Sequence, residues 1–289
     1  MCIRDRGRRG HAGGSRPLAP DGAGGLFISE LADHVVSRWD GKALSAFIGT
    51  VRGEAGDGGP REAAQLDTPS GLAYAGGALV IVEQGAKRVR RVGPDGRVST
   101  LLGGAGPKQL AAGERVPATG LRLSDGVGLA VAADGTTYLV SVAAHQVYRQ
   151  APGGGAIDLL AGGGGVGDAG DGGPAATCQL NIPFGAALAP DGALYVSEPG
   201  NGRIRRIAGP AGAAPVISTV AGKDGVGGLF AIEASPPAGT PALETPLAFP
   251  GAIACAPDGT LYVAESVSYT HLRAHETVLD LVCRLLLEK

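Results

Sequence analysis

One pattern returns again and again along this chain, and a chain that repeats itself folds as a series of like units, each burying its apolar face against the next. The clearest copy reads Pro183-Phe-Gly-Ala-Ala-Leu-Ala-Pro-Asp191-Gly192-Ala-Leu-Tyr-Val-Ser-Glu198, then Pro-Gly-Asn-Gly-Arg203-Ile-Arg-Arg206-Ile, then Val216-Ile-Ser-Thr-Val220. Earlier copies are Leu26-Phe-Ile-Ser-Glu30 with His34-Val-Val-Ser-Arg38, Leu79-Val-Ile-Val-Glu83 with Arg88-Val-Arg-Arg91, and Tyr138-Leu-Val-Ser-Val142 with Gln146-Val-Tyr-Arg149. A last copy, Asp258-Gly259-Thr-Leu-Tyr-Val-Ala-Glu265, follows.

Each copy reads as four short strands. An apolar strand a leads through an Asp-Gly turn into an alternating strand b, then a loop, a strand c, a turn and a strand d. Four strands per unit make the blade of a β-propeller. The spacing is long: 53 residues from Glu30 to Glu83 and 67 from Glu198 to Glu265, with the excess in Gly- and Pro-rich connections between blades. Composition agrees. With 51 Gly and 20 Pro, 44% hydrophobic and 18% charged residues, the chain is too apolar for disorder, and its glycines cluster as turns. The expected fold is therefore all-β, a propeller of four-stranded antiparallel blades, incomplete, with about four blades and a truncated fifth.

Both termini carry a different signature. Met1-Cys2-Ile3-Arg4-Asp5-Arg6 back-translates to ATG TGT ATA AGA GAC AG, the end of a transposase-based sequencing adaptor. Val267-Ser-Tyr-Thr-His-Leu-Arg-Ala-His-Glu-Thr277 matches its reverse complement, and the run from Leu281 to Lys289 continues in frame through the outer adaptor. The chain is accordingly divided into adaptor at 1–6, a flank at 7–17, the propeller at 18–266 and adaptor at 267–289. This removes a false metal signal, since His271 and His275, spaced i, i+4 beside Glu276, imitate helical zinc ligands. The apolar run 278–287 could form an amphipathic helix, but falls far short of the ~20 apolar residues of a membrane span. The segment 267–289 is expected to make few contacts with the propeller. Cys178 and Cys255 remain, at non-equivalent repeat positions, and are expected to be buried free thiols.

Net charge is −2. Without Arg4, Arg6, Arg273, Arg284, Lys289, Asp5, Glu276, Asp280 and Glu288 it becomes −3, with 20 basic against 23 acidic residues. The basic runs at 87–91 and 203–206 lie on alternating strands, where neighbours point to opposite faces, so no continuous basic stripe forms and nucleic acid is not an expected partner.

The repeat resembles the NHL family of propellers, whose blades carry a Pro-x-Gly-apolar start, an Asp-Gly turn, a Leu-Tyr-Val-Ala-acid strand and an Asn-x-Arg-Ile-Arg loop and strand. Pro183 to Ile207 matches almost throughout. The connections Ala55-Gly-Asp-Gly-Gly-Pro60 and Ala169-Gly-Asp-Gly-Gly-Pro174 are similar to those of bacterial and teneurin-like NHL proteins. Two departures stand out: Val142 replaces Glu in the third copy, and Gly76-Gly77 replaces Asp-Gly in the second. The resemblance is specific for the fold and implies an extracytoplasmic setting but little about activity; the expected role is a binding or scaffold module with an unidentified protein or extracellular ligand as partner.

Chemistry can be weighed residue by residue. Glu30, Glu83, Glu198 and Glu265 end strand b and would form a ring near one face. Calcium binding by such a ring is outweighed by contacts inside each blade, because Arg88 and Arg203 follow at five residues and the next turn needs acceptors. Arg38, Arg91, Arg149 and Arg206 share one position on strand c and are expected to brace neighbouring blades or stand exposed. The Gly-Asp-Gly-Gly-Pro segments lack EF-hand ligand alternation and a P-loop Lys, and read as tight turns. Strands a, such as Leu72-Ala-Tyr-Ala and Ala186-Ala-Leu-Ala, hold neither acid nor His, so no catalytic residue, metal ligand or cofactor is assigned. The alternative is a metal-dependent lyase or lactonase-like propeller enzyme. Strand direction places the long d-to-a connections, about 50–69, 103–126, 162–183 and 222–250, on the face of the b-to-c turns. Loops of ~20 residues are uncommon unless functional or disordered. A ligand is therefore expected on that face, near Asp57, Asp67, Asp125, Asp171 and Asn181, with the recurrent Glu residues beneath; the competing reading is that the loops only cover the rim and pack against neighbouring blades.

Overall fold

A computed structural model of the chain describes residues 17–104, 107, 109–123, 127–209, 213–223, 227–228, 239–265 and 282–285. Blade 1 comprises β1 (Leu18–Pro20), β2 (Leu26–Glu30), β3 (Val35–Trp39) and β4 (Leu44–Ile48). Blade 2 comprises β5 (Pro69–Ala75), β6 (Ala78–Glu83), β7 (Arg88–Val92) and β8 (Val98–Leu102). A short strand β9 (Arg115–Pro117) precedes blade 3, which holds β10 (Val127–Val131), β11 (Thr137–Ser141), β12 (Gln146–Gln150) and β13 (Ala156–Ala161). Blade 4 comprises β14 (Ala186–Leu188), β15 (Leu194–Glu198), β16 (Arg203–Ala208) and β17 (Val216–Ala221). Two-residue strands β18 (Gly227–Gly228) and β19 (Leu247–Ala248) pair in parallel, and blade 5 follows with β20 (Pro250–Cys255), β21 (Leu261–Glu265) and β22 (Val282–Leu285).

Every blade is an antiparallel meander in chain order, as the alternating apolar pattern requires. The first strands of successive blades lie side by side, so β1, β5, β10, β14 and β20 form the innermost layer. The a-to-b turns follow their residues. Asp191 accepts the N–H of Ala193 at 3.0 Å, and Asp134 and Asp258 do the same for Thr136 and Thr260. Where blade 2 lacks the Asp, Gly76 and Gly77 both take positive φ, 57° and 77°, the backbone of a two-residue hairpin turn.

Apolar burial runs from blade to blade. Phe27, Val36 and Ile48 of blade 1 pack with Leu79, Ile81 and Val92 of blade 2, while Val80 and Val89 pack with Leu139 and Tyr148 of blade 3. Val140 and Val147 then meet Val196 and Ile207, and Ile204 meets Leu261 and Val263. The long connections join these cores. Ala64 and Leu66, Leu121 and Leu123, Ala175 and Leu180, and Leu247 are buried between the blades they link. The first three connections also run along the outer edge of the blade they enter. Pro60 bridges Arg97 beside β8, β9 pairs with β13, and Pro174 bridges Val216 of β17. Covering these edges removes rows of unpaired N–H and C=O groups that would otherwise template aggregation.

The C-terminal segment departs from expectation. Val282–Leu285 pairs with β21 in an antiparallel register, Tyr262 opposite Leu285 and Glu265 opposite Val282. An open strand edge accepts any short extended run that satisfies its hydrogen bonds, so Val282–Leu285, the described part of this run, is taken up as a third strand and not as a helix. Among the described residues, no helix is long and apolar enough to cross a membrane.

Candidate functional site

The b-to-c turns and the d-to-a connections meet at one end of the blades, and the recurrent carboxylates lie under that meeting point. Glu83 and Glu198 are fully buried, Glu265 is nearly so and Glu30 is half-buried. Each of the first three accepts a backbone N–H from the connection that feeds its own blade: Glu83 Oε1 from Asp67 at 2.8 Å, Glu198 Oε1 from Asn181 at 2.8 Å and Glu265 Oε1 from Ala248 at 3.1 Å. Glu30 instead accepts the Ser37 hydroxyl. The carboxylates are a repeated fastening of the incoming chain, as a buried carboxylate must be hydrogen-bonded to persist.

Strand c supplies the second half of the fastening. Arg90 is wholly buried and donates from Nε and a terminal nitrogen to Asp57 Oδ1 at 2.9 and 2.7 Å, and to the Gln65 and Ala55 carbonyls at 2.7 and 3.3 Å. Thr100 donates to the other Asp57 oxygen at 2.6 Å, and Arg88 binds Glu83 Oε2 at 2.7 Å. Blade 4 repeats the plan with equally buried Arg205, which holds Glu198 Oε2 at 3.1 Å and Asp171 Oδ1 at 2.7 Å. Here the within-blade contact differs from expectation, since Arg203 turns to Asp168 at 3.3 Å and Arg205, two residues on, pairs with Glu198. Burial raises the carboxyl pKa of Glu83 and Glu198 above the usual carboxylate range, against the opposing effect of Arg88 and of Arg205 respectively. At Asp57, burial is overcome by the Thr100 and Arg90 hydrogen bonds, which hold its carboxyl below that range.

Blade 3 has the same backbone and different chemistry. The ladder sets Ser141, and not the expected Val142, in the Glu position, opposite Gln146 as Glu83 is opposite Arg88 and Glu198 opposite Arg203, while Gln146 and Tyr148 take the places of Arg88 and Arg90. Gln146 receives the Leu110 N–H at 2.9 Å, donates to the Leu110 carbonyl at 2.8 Å, and accepts from the buried Tyr148 hydroxyl at 2.8 Å. In blades 1 to 4 the c-to-d ladder shifts register at one equivalent point, at Ser37, Arg90, Tyr148 and Arg205. A bulge there aims these side chains under the connection.

Of the outer arginines, Arg38, Arg149 and Arg206 stand partly exposed, one of the two expected arrangements, and pair inside their own blades instead of bracing neighbours. Arg38 pairs with Asp21 at 2.5 Å and Arg206 with Asp191 at 2.7 Å, each the Asp of its own a-to-b turn, and Arg149 pairs with Asp158 on strand d at 2.7 Å. Cys178 is buried, its thiol pushed up to about 11 by burial, whereas Cys255 is only half-buried. Among the described residues no three His, Cys, Asp or Glu side chains converge as a metal-ligand group.

Of the expected ligand residues, Asp57 and Asp171 stand at the exposed loop edge, with side chains 43% and 44% accessible. Asp67 is largely buried and binds Arg52 at 3.0 Å, and Asn181 is half-buried against Asn201. Asp125 lies outside the described residues. Sequence reasoning missed the buried arginines. It also missed His34 and His145, whose Nδ1 atoms accept the N–H groups of Thr68 and Ile182, each at 3.0 Å.

No family model and no curated protein matches the chain. Solved structures do. A gluconolactonase from Xanthomonas campestris superposes with a TM-score of 0.55 at 19% identity, over 86% of this chain and 69% of that one. A catalytically inactive virginiamycin B lyase from Staphylococcus aureus, solved with quinupristin, gives 0.51 at 16% identity over 87% and 63%. A chain of a nidogen/laminin complex gives 0.54 at 16% identity over 87% and 72%. The chain is a β-propeller. At these identities the likeness fixes the fold alone, and the chain spans 63 to 72% of the lengths of these three neighbours.

Proposed function

We propose that this propeller is an NHL-type binding or scaffold module whose ligand or protein partner docks on the long-loop face, near Asp57, Asp67, Asp125, Asp171 and Asn181. The observation that carries this reading is the twofold recurrence of one rigidly held loop edge. Each Gly-Asp-Gly-Gly-Pro connection is pinned by a buried arginine and a strand-edge bridge, yet leaves Val51, Glu54 and Asp57 exposed in one copy and Val166, Asp168 and Asp171 exposed in the other. Binding residues are carried on loops held by a stiff scaffold, and preorganised loops lose less entropy on binding. On this reading Glu30, Glu83, Glu198 and Glu265 act from below by fixing the loops.

The test is affinity capture with the full chain against Val51→Asp/Val166→Asp and, as a control on the other face, Arg91→Glu. Partners retained by the parent and the control but lost by the loop variant support the assignment. Equal loss in the control, or none in the loop variant, overturns it.

The alternative, a metal-dependent lyase or lactonase-like propeller, is favoured by the gluconolactonase and the virginiamycin B lyase among the structural neighbours. Sugar-lactone hydrolysis and streptogramin linearisation, assayed with added divalent cations, decide it. Turnover in either assay displaces the binding reading.

A further inference from the structure

We propose that His34 and His145 are latches, each holding the start of the blade that follows it, and that the latch at His145 is released on acidification. The two histidines occupy equivalent places in the b-to-c turns of blades 1 and 3, at φ 56° and 55°. Each reaches across to the next blade, where its Nδ1 accepts the N–H of a residue that is itself left-handed: Thr68 at φ 52° and Ile182 at φ 50°. Positive φ is costly for β-branched residues and persists only where its surroundings over-determine it. The latch residue stands directly before Pro69 or Pro183, at the entry to strand a, so its release frees the inner end of a blade.

An imidazole nitrogen accepts an N–H only while it is unprotonated; once protonated it is a donor and faces the amide donor to donor. The two sites differ in what surrounds the resulting cation. Asp67 Oδ1 lies 3.7 Å from His34 Nδ1 and is shared with Arg52 and with the Thr68 hydroxyl, each at 3.0 Å, while Glu30 lies four residues before His34 and Glu83 holds the N–H of Asp67. A protonated His34 therefore retains an ionic contact with the incoming chain. At His145 the corresponding residues are Asn181 and Val166, both uncharged, and the carboxylate that holds the neighbouring N–H, Glu198, is already matched by Arg205. Burial also lowers the His145 pKa. Because the unfolded or opened state then takes up a proton more readily than the latched one, the latch is at full strength above about 6.5 and weakens as pH falls through the window between that value and the lowered one.

Amide hydrogen exchange on the full chain, corrected for intrinsic rates, tests this at pH 7.5 and 5.0. Protection at Ile182 is expected to fall by roughly tenfold per pH unit across the window, and that at Thr68 by less. In His145→Asn, where Asn tolerates the left-handed backbone, Ile182 is expected to be poorly protected at both pH values. Unchanged Ile182 protection in the parent, or the same pH dependence surviving in the variant, overturns the proposal. If the variant does not fold, nitrogen NMR of the parent imidazoles decides: a protonated Nδ1 at neutral pH overturns it and a bare Nδ1 supports it.

Discussion

Blades 2 and 4 bury a charged clasp at the point where blade 3 buries a tyrosine and a glutamine, although all three present the same strands, the same bulge and the same incoming connection. In blades 2 and 4 a guanidinium without solvent exposure joins a strand b glutamate to an aspartate in the loop above. In blade 3 the set is neutral, Ser141, Gln146 and Tyr148, and Gln146 holds the connection through the Leu110 backbone. The charged and neutral versions alternate, and so do the features around them. His34 and His145 are 111 residues apart, Asp57 and Asp171 are 114 apart, and Arg90 and Arg205 are 115 apart. The unit of repetition is therefore a pair of blades: a histidine turn, a Gly-Asp-Gly-Gly-Pro connection and an arginine blade recur together. The blade alone is the repeat of the fold, and the pair is the repeat of the chemistry.

The largest effect should come from breaking one clasp by halves. Arg90→Ala leaves Glu83 and Asp57 without their shared cation, and truncating one partner of a buried ionic network costs about 3–5 kcal/mol. Urea unfolding of the full chain measures it. A loss below about 1 kcal/mol would show that the clasp contributes no more than an exposed ion pair.

That network was only half legible in the sequence. The strands, the Asp-Gly turns and the repeated Glu were readable because strand alternation and turn chemistry are local. The burial of Arg90 was not, because alternation separates Arg90 from Arg91 by face without saying which face meets another blade. Its partner Asp57 lies 33 residues away in a segment that reads as a plain glycine turn. The signal was nonetheless present as a correlated exchange: where the strand b Glu gives way to Ser141, the residue equivalent to Arg90 is Tyr148. The outer column misled for the converse reason. Its partners Asp21 and Asp191 each use one carboxylate oxygen for the turn backbone, and the second carboxylate oxygen is what binds Arg38 or Arg206.

A smaller effect is expected when the whole clasp is exchanged. Glu83→Ser, Arg88→Gln and Arg90→Tyr together install the blade 3 set in blade 2, leaving neither the buried carboxylate nor the two guanidiniums that matched it. Replacing a buried ionic set by well-packed neutral residues is often neutral or stabilising, and Asp57, which stays behind, has a side chain 43% accessible to water, so the triple variant should lie within about 2 kcal/mol of the parent and above Arg90→Ala. The same unfolding measurement ranks them. If the triple variant is the less stable of the two, the blades are not interchangeable at this point and Leu110 is specific to its own connection.

The smallest effect should come from the other exchange within the pair. Arg52 and Asp67 form an ion pair at 3.0 Å in the first unit, and the second unit has Val166 and Asn181 in their places. The Arg52 side chain is 68% exposed, so water and salt screen most of the attraction, and pairs of this kind contribute about 0–1 kcal/mol. Arg52→Val copies the second unit and leaves Asp67 with the Thr68 hydroxyl and its neighbour His34. Unfolding should shift by less than about 1 kcal/mol, with most of the difference gone in high salt. A shift that is larger, or that salt does not diminish, would mean that Arg52 works through packing of its alkyl stem over the connection. The charged and neutral units would then differ in how the loop is covered as well as in how it is fastened.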